Sequence, residues 1–418
     1  MNRLFEASYS CATPGTSRTF TTIGAQVTSD ILETTATPTR AELVARAVAL
    51  QPLLRAHASD SESNRRLDDA VIAGLSDAGL FRLLKPSRFG GYATGVRTVV
   101  EITEALGVAD GSAAWVVGLG ASAGWMIGLS SPRVQEEVLG SDPDVRLAGS
   151  AHPAPARQVD GGLVVSGRWP YASGSHHAAW AGISAAVIDD AGGVVDVYMC
   201  LVPSSEMRLD DTWHVAGMRG TGSNTWVADE LFVPEHRLMS MSAIGDLGAQ
   251  ESPLPFAPLA TLMLVGPLLG LGQATLSVVS ADASKKTMHH TVFARQSDSV
   301  GVQVQVAEAA LALQTARLHA YQAADTLDEA VAGARTLTYD DRAQIRAASG
   351  YAAQQVLTAI QELVNVHGAA SFAETSPVQR YWRDANTAAR HAGLNAVVGY
   401  EVLGKVLLGV DERISPMV

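Results

Sequence analysis

The sequence predicts a mostly α, α+β protein in three successive blocks: helices, a compact antiparallel β unit, then a helix bundle. Three observations carry this. Apolar residues recur at helical spacing from Pro38 to about Ser141. The period shortens to two between Asp144 and about Leu238, and the helical period returns from Ala257 to about Val410. The expected divisions are a disordered tail at 1–37, a helical domain at 38–143, a β domain at 144–240 and a helical bundle at 241–418. No repeat appears at solenoid periods.

The tail is rich in Ser, Thr and Ala and has no apolar run of the secretory kind, while Glu6, Asp30 and Glu33 count against a transit peptide. Thr39 and Glu42 stand at capping-box spacing before Leu43, Ala47 and Leu50. A second helix is expected from Asn64 to Ala78, stopped by Gly79. Leu84 to Gly91 reads as a loop, since Pro86 and paired glycines break regular structure. Asp110 and Ser112 cap a helix carrying Trp115, Val116, Leu119, Trp125, Met126 and Ile127; apolar on every face, it belongs in the interior.

Val159–Gly162 and Asp189–Gly193 are turn signals between strand-like runs at Leu163–Ser166, Ala179–Ile188 and Val194–Val202. Further on, Val304–Leu327, Tyr339–Val366 and Val378–Leu408 are long, Ala-rich segments suited to close helix packing. Leu259–Val279 approaches membrane-spanning length, but Pro267, Gln273 and the charges from Asp282 onward favour a buried helix.

Composition narrows the function. The chain has 418 residues, 47% apolar and 17% charged, which excludes disorder for its bulk. Its mean hydropathy of +0.13 is too low for a polytopic membrane protein. A net charge of −12, with lysine only at Lys85, Lys285, Lys286 and Lys405, argues against nucleic acid or an anionic membrane as partner. Cys11 and Cys200 are too few for a disulfide scaffold or a cysteine-rich zinc site. A cytoplasmic protein is expected.

Some motifs mislead. Gly120-Ala-Ser122-Ala-Gly124 fits the nucleophile-elbow pattern, but that turn needs a preceding strand and here the context is helical. Gly118-Leu-Gly120 begins a dinucleotide fingerprint without a βαβ unit to complete it. His176-His177 and His289-His290 are adjacent, and neighbouring side chains diverge, so solvated histidines are expected rather than a metal site.

Four segments together resemble the acyl-CoA dehydrogenase superfamily. Phe89-Gly-Gly91 is similar to its loop after the second helix, and Gly167-Arg-Trp-Pro-Tyr-Ala-Ser-Gly174 to its flavin strand. Gly217-Met-Arg-Gly-Thr-Gly-Ser223, followed by Val227–Phe232 and Val233-Pro234, resembles its second β signature, and Tyr381-Trp-Arg-Asp-Ala385 its C-terminal one. They occur in the family's order over about residues 40–410. The resemblance implies a central antiparallel β-barrel or sandwich and a C-terminal four-helix bundle.

One departure matters. Family members with their base near the C-terminus place a Glu about eight residues beyond the Arg-Asp pair. Counting from Arg383-Asp384 reaches Ala392, beside His391, and a methyl group accepts no proton. Ala389-Arg-His-Ala-Gly-Leu-Asn395 instead resembles the oxygenase components of two-component, group D flavin monooxygenases, in which a His at this position faces the flavin. That resemblance implies reduced flavin (FMNH2 or FADH2) and O2 as reactants and a flavin C4a-hydroperoxide as oxidant. It implies carbon hydroxylation or N/S-oxygenation of a small molecule, a separate NAD(P)H:flavin reductase and a homotetramer.

By the same resemblance His391 and Ser173 are the catalytic candidates. Ser150, Tyr171, Ser173, Trp213, Arg219 and Arg295 are the cofactor-binding ones, with Arg295 reaching a phosphate, often across a subunit boundary. Ser122, Trp125 and His152 are the substrate candidates. Plainer roles stand beside these: Ser173 closing a turn, His391 packed in a helix, Tyr171 and Trp213 as ordinary aromatics, Arg295 solvated. Phenol-hydroxylating members carry a His in the helix matching Trp115–Leu129; this chain has none there. Either His152 or His214 compensates, or the small residues at 120–124 admit a bulky, polycyclic substrate. Two rival functions remain: a desaturase with a relocated base, and a redox-silent relative acting as a cyclase or binding protein.

Overall fold

Thr39 starts the first helix of the computed structural model, which describes residues 37–188, 194–241, 251–252, 256–333, 335–415 and 418. Residues 1–36 of the expected tail and the Asp189–Gly193 turn lie outside these residues. The Thr39 hydroxyl accepts from the Glu42 amide and the Glu42 carboxylate accepts from the Thr39 amide, opening α1 (Arg40–Ala49). α2 (Gln51–Asn64) ends where Arg65 turns left-handed at φ +52°. The expected Asn64–Ala78 helix is therefore shorter: α3 covers Asp69–Asp77, begun by the Asp68 carboxylate accepting from the Ala70 amide. Arg is an uncommon left-handed residue, so nothing local announced the break.

α4 (Val96–Gly107) precedes α5 (Gly111–Gly128), whose first turn is capped by Asp110 accepting from the amides of Ser112 and Ala113. The Gly120–Gly124 motif lies within α5, with no strand before it. α6 (Pro132–Leu139) completes this block.

The strands are β1 (Leu147–Val159), β2 (Gly162–Ala172), β3 (Trp180–Ile188), β4 (Val194–Pro203), β5 (Arg208–Asp210), β6 (Asn224–Pro234) and β7 (Leu238–Ser240). They form one seven-stranded sheet in the order β5-β6-β2-β1-β3-β4-β7, with Trp169 and Trp226 fully buried in its core. The expectation of a purely antiparallel unit needs one correction: β1 and β3 run parallel, with Leu147 opposite Trp180. After the β1–β2 hairpin the chain does not return beside β2. Residues 173–179 cross the end of β1 to reach its far side, so β3 takes β1's direction. That crossing lays Ser173 against α5.

In the last block β8 (Glu251–Ser252) pairs with β9 (Leu337–Thr338). The helices are α7 (Phe256–Leu262), α8 (Val265–Ala283), α9 (Val300–Ala332), α10 (Tyr339–His367), α11 (Pro377–Ala388) and α12 (Ala396–Leu407). The stretch Phe256–Ala283 is long and apolar enough to cross a membrane, yet 78% of its most apolar window is buried within the fold. Gly270 allows the closest approach, since a Cβ there would collide with the backbone of Glu104 and Gly107 on α4. One apolar cluster, from Leu43 to Leu394, joins the N-terminal helices to the C-terminal ones.

The expected single helix Val378–Leu408 is two, α11 and α12, separated at 389–395 by a turn over Ala392–Leu394. Asn395 restarts the helix by accepting from the Val397 amide. His391 thus sits in a break, not in a helix.

Candidate functional site

The β side of the site is a chain of hydroxyls. Trp115, one turn into α5, donates its Nε1–H to Ser173 Oγ at 3.3 Å. Ser173 Oγ lies 2.7 Å from Ser223 Oγ, and Ser223 Oγ 2.6 Å from Thr221 Oγ1. Thr221 donates to the Met218 carbonyl at 2.8 Å. Each hydroxyl has one proton, so the direction is fixed from the far end. Thr221 spends its proton on Met218, hence Ser223 donates to Thr221 and Ser173 to Ser223. Ser173 is left with a lone pair: toward a ligand it accepts.

The loop carrying Ser223 is held from both sides. Trp213 donates Nε1–H to the Met218 carbonyl at 2.9 Å, and the Met218 amide donates to the buried Asp384 carboxylate at 2.5 Å. Arg383 donates to the Ala216 carbonyl and pairs with Glu62 at 2.6 Å. Gly217 passes so close to the Arg383 carbonyl that no Cβ fits. Asn224 accepts from the amides of Thr212 and Trp213. Burial pushes the Asp384 carboxyl up to about 7, the largest of its influences.

Tyr171 is 71% exposed and left-handed at φ +63°, with its ring edge-on to Trp213 at 6.2 Å. Tyr171 is therefore not part of the packed core, and its exposed ring stands beside a braced Trp. Ser150 donates to the Pro170 carbonyl at 2.6 Å.

The helical side is the break at 389–395. His391 meets Trp115 edge to face, centroids 5.7 Å apart at 66°. Trp115 therefore touches both catalytic candidates. The Gly393 amide donates to His391 Nδ1 at 3.1 Å, so a neutral ring carries its proton on Nε2. Part of His391 is exposed, but enough protein surrounds it that burial lowers its pKa below the ordinary value, with the Arg346 charge a smaller cause.

Ser122 is buried seven residues beyond Trp115 on the same face of α5, about 10 Å along the axis. Trp125 stacks on Phe256 of α7 at 6.5 Å and 17°. α7 also borders the break, where Leu264 and Thr261 lie against Gly393.

Three candidates lie apart from this group. His152 is exposed on β1, and the described residues show no contact joining it to Trp115, Ser173 or His391. Arg295 is exposed and pairs with Asp298 at 2.8 Å. Arg219 braces its own loop, donating to the carbonyls of Glu62 and Val215. His214 is exposed and lies 3.5 Å from Asp211. His289 and His290 are exposed, but His177 corrects the expectation of solvated pairs. Its Nε2 meets the Leu67 carbonyl at 3.0 Å, and burial pushes its pKa down to about 4. Among the described residues no group of three or more His, Cys, Asp or Glu could hold a metal.

Sequence reasoning missed Ser223 and Thr221, although both stand in the Gly217–Ser223 segment it singled out. It also missed Arg346, which nothing in an Ala-rich helix marks.

Comparison with known proteins gives the context of this geometry. Residues 262–396 match the family described as acyl-CoA dehydrogenase, C-terminal domain. The chain is 33% identical over 366 residues to the flavin-dependent monooxygenase oxygenase subunit HsaA of Rhodococcus jostii, covering 85% of this chain and 95% of that protein. It is 31% identical over 389 residues to the oxygenase component of an FADH(2)-dependent resorcinol hydroxylase from a Rhizobium species, covering 89% and 95%. The solved structure of XiaF from a Streptomyces species, in complex with FADH2 and glycerol, superimposes with a TM-score of 0.85 at 35% identity, covering 91% of this chain and 97% of that one.

Proposed function

The chain belongs to the oxygenase subunits of flavin-dependent monooxygenases built on the acyl-CoA dehydrogenase fold, and on that premise we propose how its site works. A separate NAD(P)H:flavin reductase supplies reduced flavin, and a bulky aromatic or natural-product-type small molecule receives one oxygen atom. When bound, reduced flavin supplies dioxygen activation. The protein's residues do the rest.

The observation that carries this reading is the pairing of His391 with Ser173 through Trp115, where Ala392 leaves no carboxylate. The surroundings fit a flavin: an aromatic surface from Tyr171 and Trp213, and a hydroxyl that accepts. A reduced flavin ring bears an N–H that the oxidised ring lacks, so an accepting Ser173 prefers the reduced form. Ser150 lies beside the Tyr171 surface, and Arg219 stiffens the loop from below. Arg295 reaches a flavin phosphate only by giving up Asp298. FADH2 is the favoured flavin, in line with the relatives' names.

His391 donates from Nε2 to the oxygen being transferred or takes the substrate's proton. Its lowered pKa keeps the ring neutral at pH 7. Trp115, buried at the junction, keeps water from Ser173. Ser122, Trp125 and Phe256 form the substrate wall, and the small residues at 120–124 give it room. His152 has no part in that wall.

Among the described residues the only charge felt by the His391 ring is Arg346, so no carboxylate stands there as the desaturase alternative needs. Asp384 holds Met218, Asp110 caps α5 and Glu62 pairs with Arg383. Assembly as a homotetramer is proposed from Val304, Leu311 and Leu318, which are exposed at seven-residue spacing along α9, a stripe suited to a second copy. The cytoplasm is the proposed location.

The test is to mix the protein with reduced flavin, an aromatic substrate panel and labelled dioxygen. One labelled oxygen in the product supports the proposal. Anaerobic reduction of bound flavin by an acyl thioester supports the desaturase instead.

A further inference from the structure

Arg346 lies on α10 and is only 3% exposed. A guanidinium has five N–H donors and no acceptor. Here Nη2 donates to the Ala392 carbonyl at 2.8 Å, while Nε and Nη1 have no partner. No carboxylate counters the charge among the described residues; burial alone acts on the group and lowers its pKa. Three other buried or half-buried cations are held by named partners. Lys85 donates to the carbonyls of Pro143 and Val145, and Arg317 pairs with Glu104. Arg97 pairs with Glu101 and Asp325.

A buried cation with idle donors is costly unless something brings it a counter-charge. The place is specific. The carbonyl Arg346 holds belongs to the residue directly after His391, and its charge is felt by the His391 ring. Whatever binds to Arg346 therefore binds within electrostatic range of the candidate catalytic imidazole.

We propose that Arg346 is a substrate-binding residue that takes an ionised oxygen, phenolate or carboxylate, of the aromatic substrate. This rests on the oxygenase reading above, because it assigns the anion to the molecule that receives oxygen. A charge-assisted bond to a planar guanidinium gives both orientation and preference for the ionised form. A ring bearing a phenolate oxygen is also more electron-rich, which suits attack by an electrophilic oxygen, whereas a carboxylate serves orientation alone.

The test uses three probes of similar shape: para-nitrophenolate, para-nitrobenzoate and neutral nitrobenzene. Binding is measured by calorimetry, anaerobically, with and without reduced flavin. The wild type should bind at least one of the two anions at least about ten-fold more tightly than nitrobenzene. Arg346→Met should abolish that preference and leave nitrobenzene within about two-fold, while Arg346→Lys keeps the charge and part of the preference. The phenolate and benzoate arms decide which oxygen is taken. A second readout needs no variant: bound para-nitrophenol should show the yellow absorbance of its anion at pH values where the free probe is mostly neutral. Equal binding of anions and nitrobenzene, no anion binding in either flavin state, or an unchanged preference in Arg346→Met overturns the proposal. If the anion preference holds while labelled oxygen never enters a product, Arg346 stands as an anion site and the oxygenase reading falls.

Discussion

The two walls of the site are built on opposite principles. On the β side every proton from Trp115 through Ser173 and Ser223 to Thr221 is committed, one lone pair of Ser173 is left, and the direction of each bond is set by the next. On the helical side, among the described residues, His391 shows a bond at Nδ1 only and Arg346 keeps two nitrogens without partners. A satisfied network is rigid and fixes geometry; unsatisfied groups are poised for a ligand. In the function proposed above, the first wall positions the cofactor and the second acts on the reacting molecule.

If the first wall depends on its brace, the largest stability effect lies at Asp384. Its folded pKa is raised from 3.8 to about 7, so its contribution is fully present below about pH 4 and is lost as pH rises through about 7. Asp384→Asn keeps an acceptor for the Met218 amide and never ionises. Denaturant unfolding from pH 4 to 8 should lose a downward slope worth on the order of a few kcal/mol in this variant. An identical slope in both proteins would remove Asp384 from the brace.

Ser223→Ala breaks the hydroxyl chain in its middle and should cost about 1–3 kcal/mol. It also frees the Ser173 proton, so the preference for reduced over oxidised flavin should narrow in equilibrium titrations. A preference that does not move would show the chain's direction to be irrelevant. Trp115→Phe removes the donor to Ser173 together with the indole's second ring; about 1–3 kcal/mol of stability should go, read from the same unfolding curves. No measurable loss would mean that neither the bond nor the packing of the indole supports the fold.

The same contrast explains what the sequence could tell. Elements announced by local chemistry were legible: the Thr39–Glu42 box, the Asp110 cap, the apolar α5 and the β1–β2 hairpin. His391 and Ser173 were legible only as a resemblance, since their meeting through Trp115 needs the 217 residues between them to fold. The parallel β1–β3 ladder was hidden because period-two patterning reports burial, not strand direction. The break at 389–395 was hidden because Ala-rich flanks read as continuous helix, although Gly393 and Asn395 stood within it. Arg346 had no signal, because an unpaired charge is visible only once its surroundings are known.

The central claim is that the imidazole of the break, and no carboxylate, acts where oxygen is transferred. Because its folded pKa lies below the ordinary 6.5, product formation should stay level from pH 8 down past that value and fall only below it. The direct measurement is the partition of dioxygen between product and hydrogen peroxide in His391→Ala, beside reduced-flavin affinity. The account predicts that product per reduced flavin drops at least about ten-fold and peroxide rises to match, with flavin affinity unchanged, as expected for the loss of one or two strong hydrogen bonds. Product yield equal to wild type would contradict it.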